Sequence, residues 1–99
     1  MAVSSEYVAT IRQRLRGSST ALDGEITDLI NAARADLARV GVNEARAADE
    51  SDPLILQAIS TYVKAEFGLD NEDSDKYRAS YKEQRNALAL AEEYIAEGV

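Results

Sequence analysis

The chain has 99 residues, with 11 Lys and Arg against 18 Asp and Glu, a formal net charge of −7, and neither cysteine nor histidine. The two absences exclude disulfides, thiolate chemistry, and the commonest general base and metal ligand. A chain of this length is expected to form one domain burying roughly 60–70% of its unfolded surface.

Met1–Glu6 lacks the basic and apolar stretches of a secretory signal. No apolar run approaches the ~20 residues that span a bilayer, so a soluble intracellular protein is expected, with no membrane partner. Charge is uneven: residues 1–19 hold Arg12, Arg14 and Arg16 against Glu6 (3 − 1 = +2), and residues 20–99 the remainder (8 − 17 = −9). Such a body repels duplex DNA at long range rather than gripping its phosphates.

Four helices are predicted, at about 5–15, 21–40, 53–67 and 74–96, making a small all-α bundle. In the first, Tyr7/Val8, Ile11 and Leu15 recur at helical spacing, Ser4 or Ser5 caps, and "GSS" at 17–19 stops the run. The second carries Leu22, Ile26, Leu29, Ile30, Ala33, Leu37 and Val40 as one apolar stripe. Thr20 or Asp23 is its expected cap, Gly41 its left-handed stop, and Asp36 and Arg39 an i, i+3 pair facing solvent.

Residues 41–52, "GVNEARAADESD", have no apolar period and a charge of 1 − 4 = −3, which predicts a long, exposed, mobile and functional loop. Asp52-Pro53 opens the third helix, with a side-chain acceptor at the cap and proline where no donor is lost. Its expected buried stripe is Leu54/Ile55, Ala58/Ile59, Tyr62/Val63 and Phe67, ending at Gly68. In the fourth, Tyr77, Tyr81, Leu88, Ala91 and Ile95 share one side, interrupted by Gln84/Arg85. That interruption suggests a helix end leaving its own core from about residue 88.

The acidic run "GLDNEDSDKY" at 68–77 poses the question of a calcium loop. With Asp70 as the first ligand, position five is Ser74, position six is Asp75 where glycine is needed, and position twelve is Tyr81 instead of a bidentate carboxylate. The better role is capping: Asp73 or Ser74 before the fourth helix, and Asp75 in the favourable field of its first turn. No metal and no cofactor are therefore expected.

Enzymatic constellations are missing. Without histidine, only a Ser-Lys pair such as Ser60 and Lys64 remains, and Lys64 is expected to face water. No tyrosine has a lysine four residues on, and the five glycines are scattered singly, so no loop cradles phosphate. Arg12, Arg14 and Arg16 alternate by two, a poor phosphate comb, although an acidic protein partner suits them. The five tyrosines either close the core or serve an interface, to which their area and polar tip are suited.

"EITDLINAARADLARVGV", an acidic variable loop, and then "DPLILQAISTYVKAEFGLDNEDSDKYRASYKEQRNALAL" together resemble the head–tail connector proteins of long-tailed bacteriophages, also called head-completion or DNA-packaging adaptor proteins. The most specific piece is "YVKAEFG", followed at once by an acidic Asp-Asn turn and a "KY…SY" helix start. The resemblance covers about residues 8–90 and leaves out the last nine.

It implies a structural virion protein at the head–tail junction, present in the host cytoplasm during assembly and without enzymatic activity. Its implied partners are the portal protein, a downstream head-completion or tail protein, and further copies of itself in a ring of about twelve around passing DNA. Weak lateral contacts would leave a monomer in dilute solution. The expected contact residues are Arg12, Arg14 and Arg16 on one side, and Asn43, Glu44, Arg46, Tyr94 and Ile95 on the other. From the residues alone, a small acidic helical regulatory module, inhibitor- or antitoxin-like, is the alternative.

Overall fold

Five α-helices follow one another in the computed structural model, which describes residues 2–15, 19–67 and 73–95: α1 (Ser5–Arg14), α2 (Asp23–Arg39), α3 (Glu44–Ala47), α4 (Pro53–Glu66) and α5 (Ser74–Leu90). Short 3₁₀ turns occupy Thr20–Leu22 and Glu92–Tyr94, and no strand forms among the described residues. The architecture is a small all-α bundle. Its Cα radius of gyration, 13.1 Å, matches the roughly 13 Å of a folded domain this long.

Helix starts follow the polar side chains. Ser4 Oγ accepts from the Tyr7 amide at 3.1 Å to cap α1. Asp52 Oδ1 accepts from the Leu54 and Ile55 amides at 2.9 and 3.1 Å, with Pro53 opening α4. Gly41, at φ 109°, turns the chain at the end of α2. The Val42 amide then returns to the Leu37 carbonyl (3.0 Å) and the Gly41 amide to that of Ala38 (3.1 Å), the paired bonds of a Schellman ending.

The start of α2 differs from expectation. Ser19, rather than Thr20 or Asp23, supplies the side-chain acceptor, bonding the Ala21 amide of the 3₁₀ turn. Asp23 is taken instead by Arg12, whose guanidinium bonds both carboxylate oxygens at 2.8 and 2.7 Å and pins α1 to α2. Leu22 belongs to that turn and is half exposed, outside the buried stripe.

The core lies where α1, α2 and α4 converge and α5 closes over α4. Ile11, Ile26, Ile30, Leu37, Ile55, Ile59 and Val63 have essentially no exposed surface. Each contributes about 1.5–3 kcal/mol of apolar transfer. On α4, Ile55 rather than Leu54 faces inward, and Leu54 is half exposed.

α5 runs antiparallel to α4: Arg78 bonds Glu66 (2.9 Å) near one end, and Leu88 lies near Leu54 at the other. Between them Tyr62 and Tyr81 meet edge to face, with ring centroids 5.1 Å apart at 70°. The polar interruption in α5 has a partner within the bundle: Arg85 bonds Asp36 at 3.1 Å, and Tyr81 donates to the same carboxylate at 2.7 Å. Asp36 is therefore half-buried between α2 and α5, while Arg39 covers its outer side.

Two expectations are corrected. Residues 41–52 are not wholly irregular and exposed. They hold α3, capped by Asn43 Oδ1 on the Ala45 and Arg46 amides, and they bury Val42 and Ala47. The last helix stops at Leu90 instead of near 96, because Ala91 is extended (ψ 124°) and the chain folds back so that Ile95 bridges Val42. Gly17 and Ser18 of the expected stop at 17–19, Gly68, and residues 68–72 of the acidic run 68–77 lie outside the described residues, as does Arg16. At the start of α5, Asp73 accepts the Tyr77 amide on its carbonyl (3.0 Å), and Asp75 stands in the first turn, 3.3 Å from Arg78.

Candidate assembly surface

At one end of the bundle the starts of α1 and α4, the segment 42–52 and the returning chain 91–95 meet through polar groups. Glu50 is the first node. Ser4 donates to its carboxylate through the backbone amide (2.9 Å) and the hydroxyl, and Arg34 donates from α2 at 3.2 Å. Burial raises the Glu50 pKa, but the Ser4 bonds and Arg34 outweigh burial and hold it below the ordinary glutamate value. Arg34 also lies 5.8 Å from the Tyr7 ring centroid. Burial, opposed by Arg34, pushes the Tyr7 phenol up to about 12.

Asp52 is the second node. One oxygen caps α4, and the other accepts the Tyr94 hydroxyl at 2.8 Å. Burial, followed by this bond, raises the Tyr94 pKa. The Asn43 amide donates to the Tyr94 carbonyl at 2.6 Å, and the Arg46 guanidinium carbon stands 6.0 Å from the Tyr94 ring centroid.

Two concavities flank this end. An open cleft of about 700 Å³ is lined mainly by Arg46, Asp49, Glu50, Glu92, Glu93 and Ile95. A smaller groove of about 240 Å³ runs between α4 and α5 along Leu54, Gln57, Gln84, Ala87 and Leu88. Leu90 beyond it is 85% exposed, and Ile95 is 41% exposed.

The structure separates the expected contact residues. Arg12 is committed to Asp23 within the chain, whereas Arg14 is exposed. Glu44 and Arg46 are exposed, Asn43 is half-buried as a cap, and Tyr94 is buried with its hydroxyl bonded. Ser60 and Lys64 do not make a nucleophile and base: Ser60 is buried in α4 without a hydrogen-bond partner among the described residues, and Lys64 lies over the Tyr77 ring at 5.7 Å. Among the described residues no cluster of carboxylates is placed to hold a metal.

Sequence reasoning missed Arg34 and Glu50. A signal for the first was present: Arg34 follows Ile30 by four and precedes Leu37 by three, which sets a charge on the buried stripe and demands a partner. Nothing local marks Glu50 as that partner, 16 residues away.

Residues 8–95 match the family model described as phage connector protein. The chain belongs to that family. The match runs beyond residue 90 to Ile95, taking in the returning segment that bonds Asn43 and Asp52. Connector membership makes the protein a structural component of the phage virion. No helix among the described residues is long and apolar enough to cross a membrane. Comparison with curated proteins and with solved structures gives no match.

Proposed function

We propose that this connector acts as a ring-forming head–tail adaptor. Copies assemble beneath the portal, extend the DNA channel, and present an attachment surface to the next head-completion or tail protein. Family membership over residues 8–95 carries this reading. The acidic body supports it physically: a formal charge of −7 on every copy makes a channel wall that repels DNA and lets the genome pass without specific binding.

Like-charged copies also repel one another, so lateral contacts must join unlike patches around a closed ring. Arg14 meets the acidic cleft of a neighbouring copy at Asp49, Glu92 and Glu93, with Ile95 adding apolar area. Arg12 stabilises α1 on α2 rather than the ring contact. Assembly takes place in the host cytoplasm, with monomers in dilute solution closing into a ring of about twelve on the portal.

Negative-stain imaging of the protein mixed with its cognate portal tests the reading. Annular density under the portal is expected, and a portal left bare at saturating protein overturns it. Arg14→Glu should weaken ring closure, and adding Glu92→Lys should restore it. An intact ring with Arg14→Glu removes the proposed lateral pairing while leaving the adaptor role standing.

A further inference from the structure

The end of α5 poses a conflict between local preference and observed form. From Ala87 to Ile95 the chain reads Ala-Leu-Ala-Leu-Ala-Glu-Glu-Tyr-Ile, without glycine or proline and rich in the strongest helix formers. Nevertheless the helix stops at Leu90, and Ala91 adopts φ −86°, ψ 124°. The ending is poorly made by its own chemistry. No basic residue lies in the last turn, and Glu92 and Glu93 follow directly, where the negative end of the helix dipole disfavours them. Leu90 is left 85% exposed.

What holds 91–95 out of the helix comes from residues 42–52. The Asn43 amide binds the Tyr94 carbonyl, Asp52 binds the Tyr94 hydroxyl, Arg46 lies over the Tyr94 ring, and Val42 bridges Ile95. The bridge needs an extended Ile95, here at φ −82°, ψ 159°, which a helical residue cannot supply.

We infer that residues 91–95 are a two-position strap. In the position seen, the strap is clasped against 42–52 and covers Val42. In the other, α5 continues as one helix through Ile95, the Tyr94 and Ile95 amides bond the Leu90 and Ala91 carbonyls, and Val42 and Asn43 are uncovered. Glu50 stays bonded to Ser4 and Arg34 in both, so release loosens residues 42–47 and leaves the junction at Glu50 closed. A partner that favours either form shifts the balance by its difference in affinity for the two. The inference rests on contacts within one chain and does not depend on ring formation.

Backbone chemical shifts and amide exchange of the full chain test it. Tyr94→Ala removes hydroxyl and ring while favouring helix. The expected result is Cα shifts at 91–95 moving to helical values, with the Asn43 amide exchanging at least about tenfold faster. Glu92→Pro should lock the seen position, since Ala91 already has the conformation that precedes proline, and proline bars a continuous helix. In the double variant, Asn43 should exchange faster while 91–95 stay non-helical. Random-coil shifts at 91–95 in Tyr94→Ala, or unchanged shifts and exchange, overturn the inference. Should Tyr94→Ala also abolish slow exchange at Ile59 and Val63, Tyr94→Phe decides by the same two readings, since it deletes only the hydroxyl.

Discussion

Around Ile59, aliphatic side chains from α1, α2 and α4 lose essentially all contact with water, and the contacts are interchangeable in kind. Around Tyr94, the same short chain is joined by directional hydrogen bonds and ion pairs that converge on a few named groups, Glu50 and Asp52 above all. Apolar burial is non-directional and insensitive to pH, whereas a carboxylate node holds only while the group is charged and its donors are aligned. The bundle therefore has a centre that sets stability and an end that sets arrangement. A protein that works by its surface has its adjustable part at that end.

The largest effect should come from the centre. Ile59→Ala removes a side chain with no exposed surface and leaves a cavity, costing about 2–5 kcal/mol. Urea unfolding should show the midpoint falling with the slope unchanged. A loss comparable to that of a surface substitution would erase the proposed contrast, because the core would then be loosely packed.

Glu50→Gln comes next. It keeps the shape but removes the charge that Arg34 faces and weakens the bonds from Ser4, at a cost of about 1–3 kcal/mol. The loss should be uneven, with amide exchange rising most at Ser4–Val8 and little at Ile59 and Val63. Equal acceleration at both would mean that the two regions open as one cooperative unit.

Much of this division was legible in the sequence, and the illegible part has one physical cause. The 3.6-residue period of α2 and α4, the Asp52-Pro53 start and the Gly41 stop are local signals, and the helices appear where those signals place them. The fold of 42–52 and the stop at Leu90 depend instead on partners far along the chain: Ser4 for Glu50, Tyr94 for Asp52 and Asn43. Local reasoning correctly found no apolar period in 41–52 and so missed the short helix there and the burial of Val42 and Ala47. It likewise carried the last helix to about residue 96, because the break at Ala91 is imposed from outside the segment. Arg85 looked like a fault in an apolar line until Asp36 was seen beside it.

Acid should separate the regions without mutation. Burial raises the Asp36 pKa, but hydrogen bonds from Tyr81, Arg39 and Arg85 outweigh it, so Asp36, like Glu50, lies below its ordinary value in the folded state. A carboxyl depressed by folding adds stability that is fully present above its unfolded pKa and lost as pH falls through the folded one. The urea midpoint should thus be flat from pH 7 to 5 and decline below about 4. Glu50→Gln should show a shallower decline, since one of the three depressed carboxyls, Asp36, Asp49 and Glu50, is gone. An identical slope in both proteins would assign the effect to Asp36 and Asp49 and remove Glu50 from it.

The smallest effect on stability, and the sharpest on function, is expected at Leu90. It stands 85% exposed at the end of α5, and folding gains almost nothing from it. Leu90→Gln should leave the urea midpoint within about 0.5 kcal/mol of the parent. If the polar end is the assembly surface, the same change should weaken occupancy of the portal in negative-stain images, because Leu90, two residues before the glutamates of the cleft, offers a partner exposed apolar area. Intact occupancy would move the assembly surface away from this end, to the face carrying Arg14. A large drop in stability would instead show that Leu90 is covered in solution, as it would be were residues 91–95 to pack differently against α5.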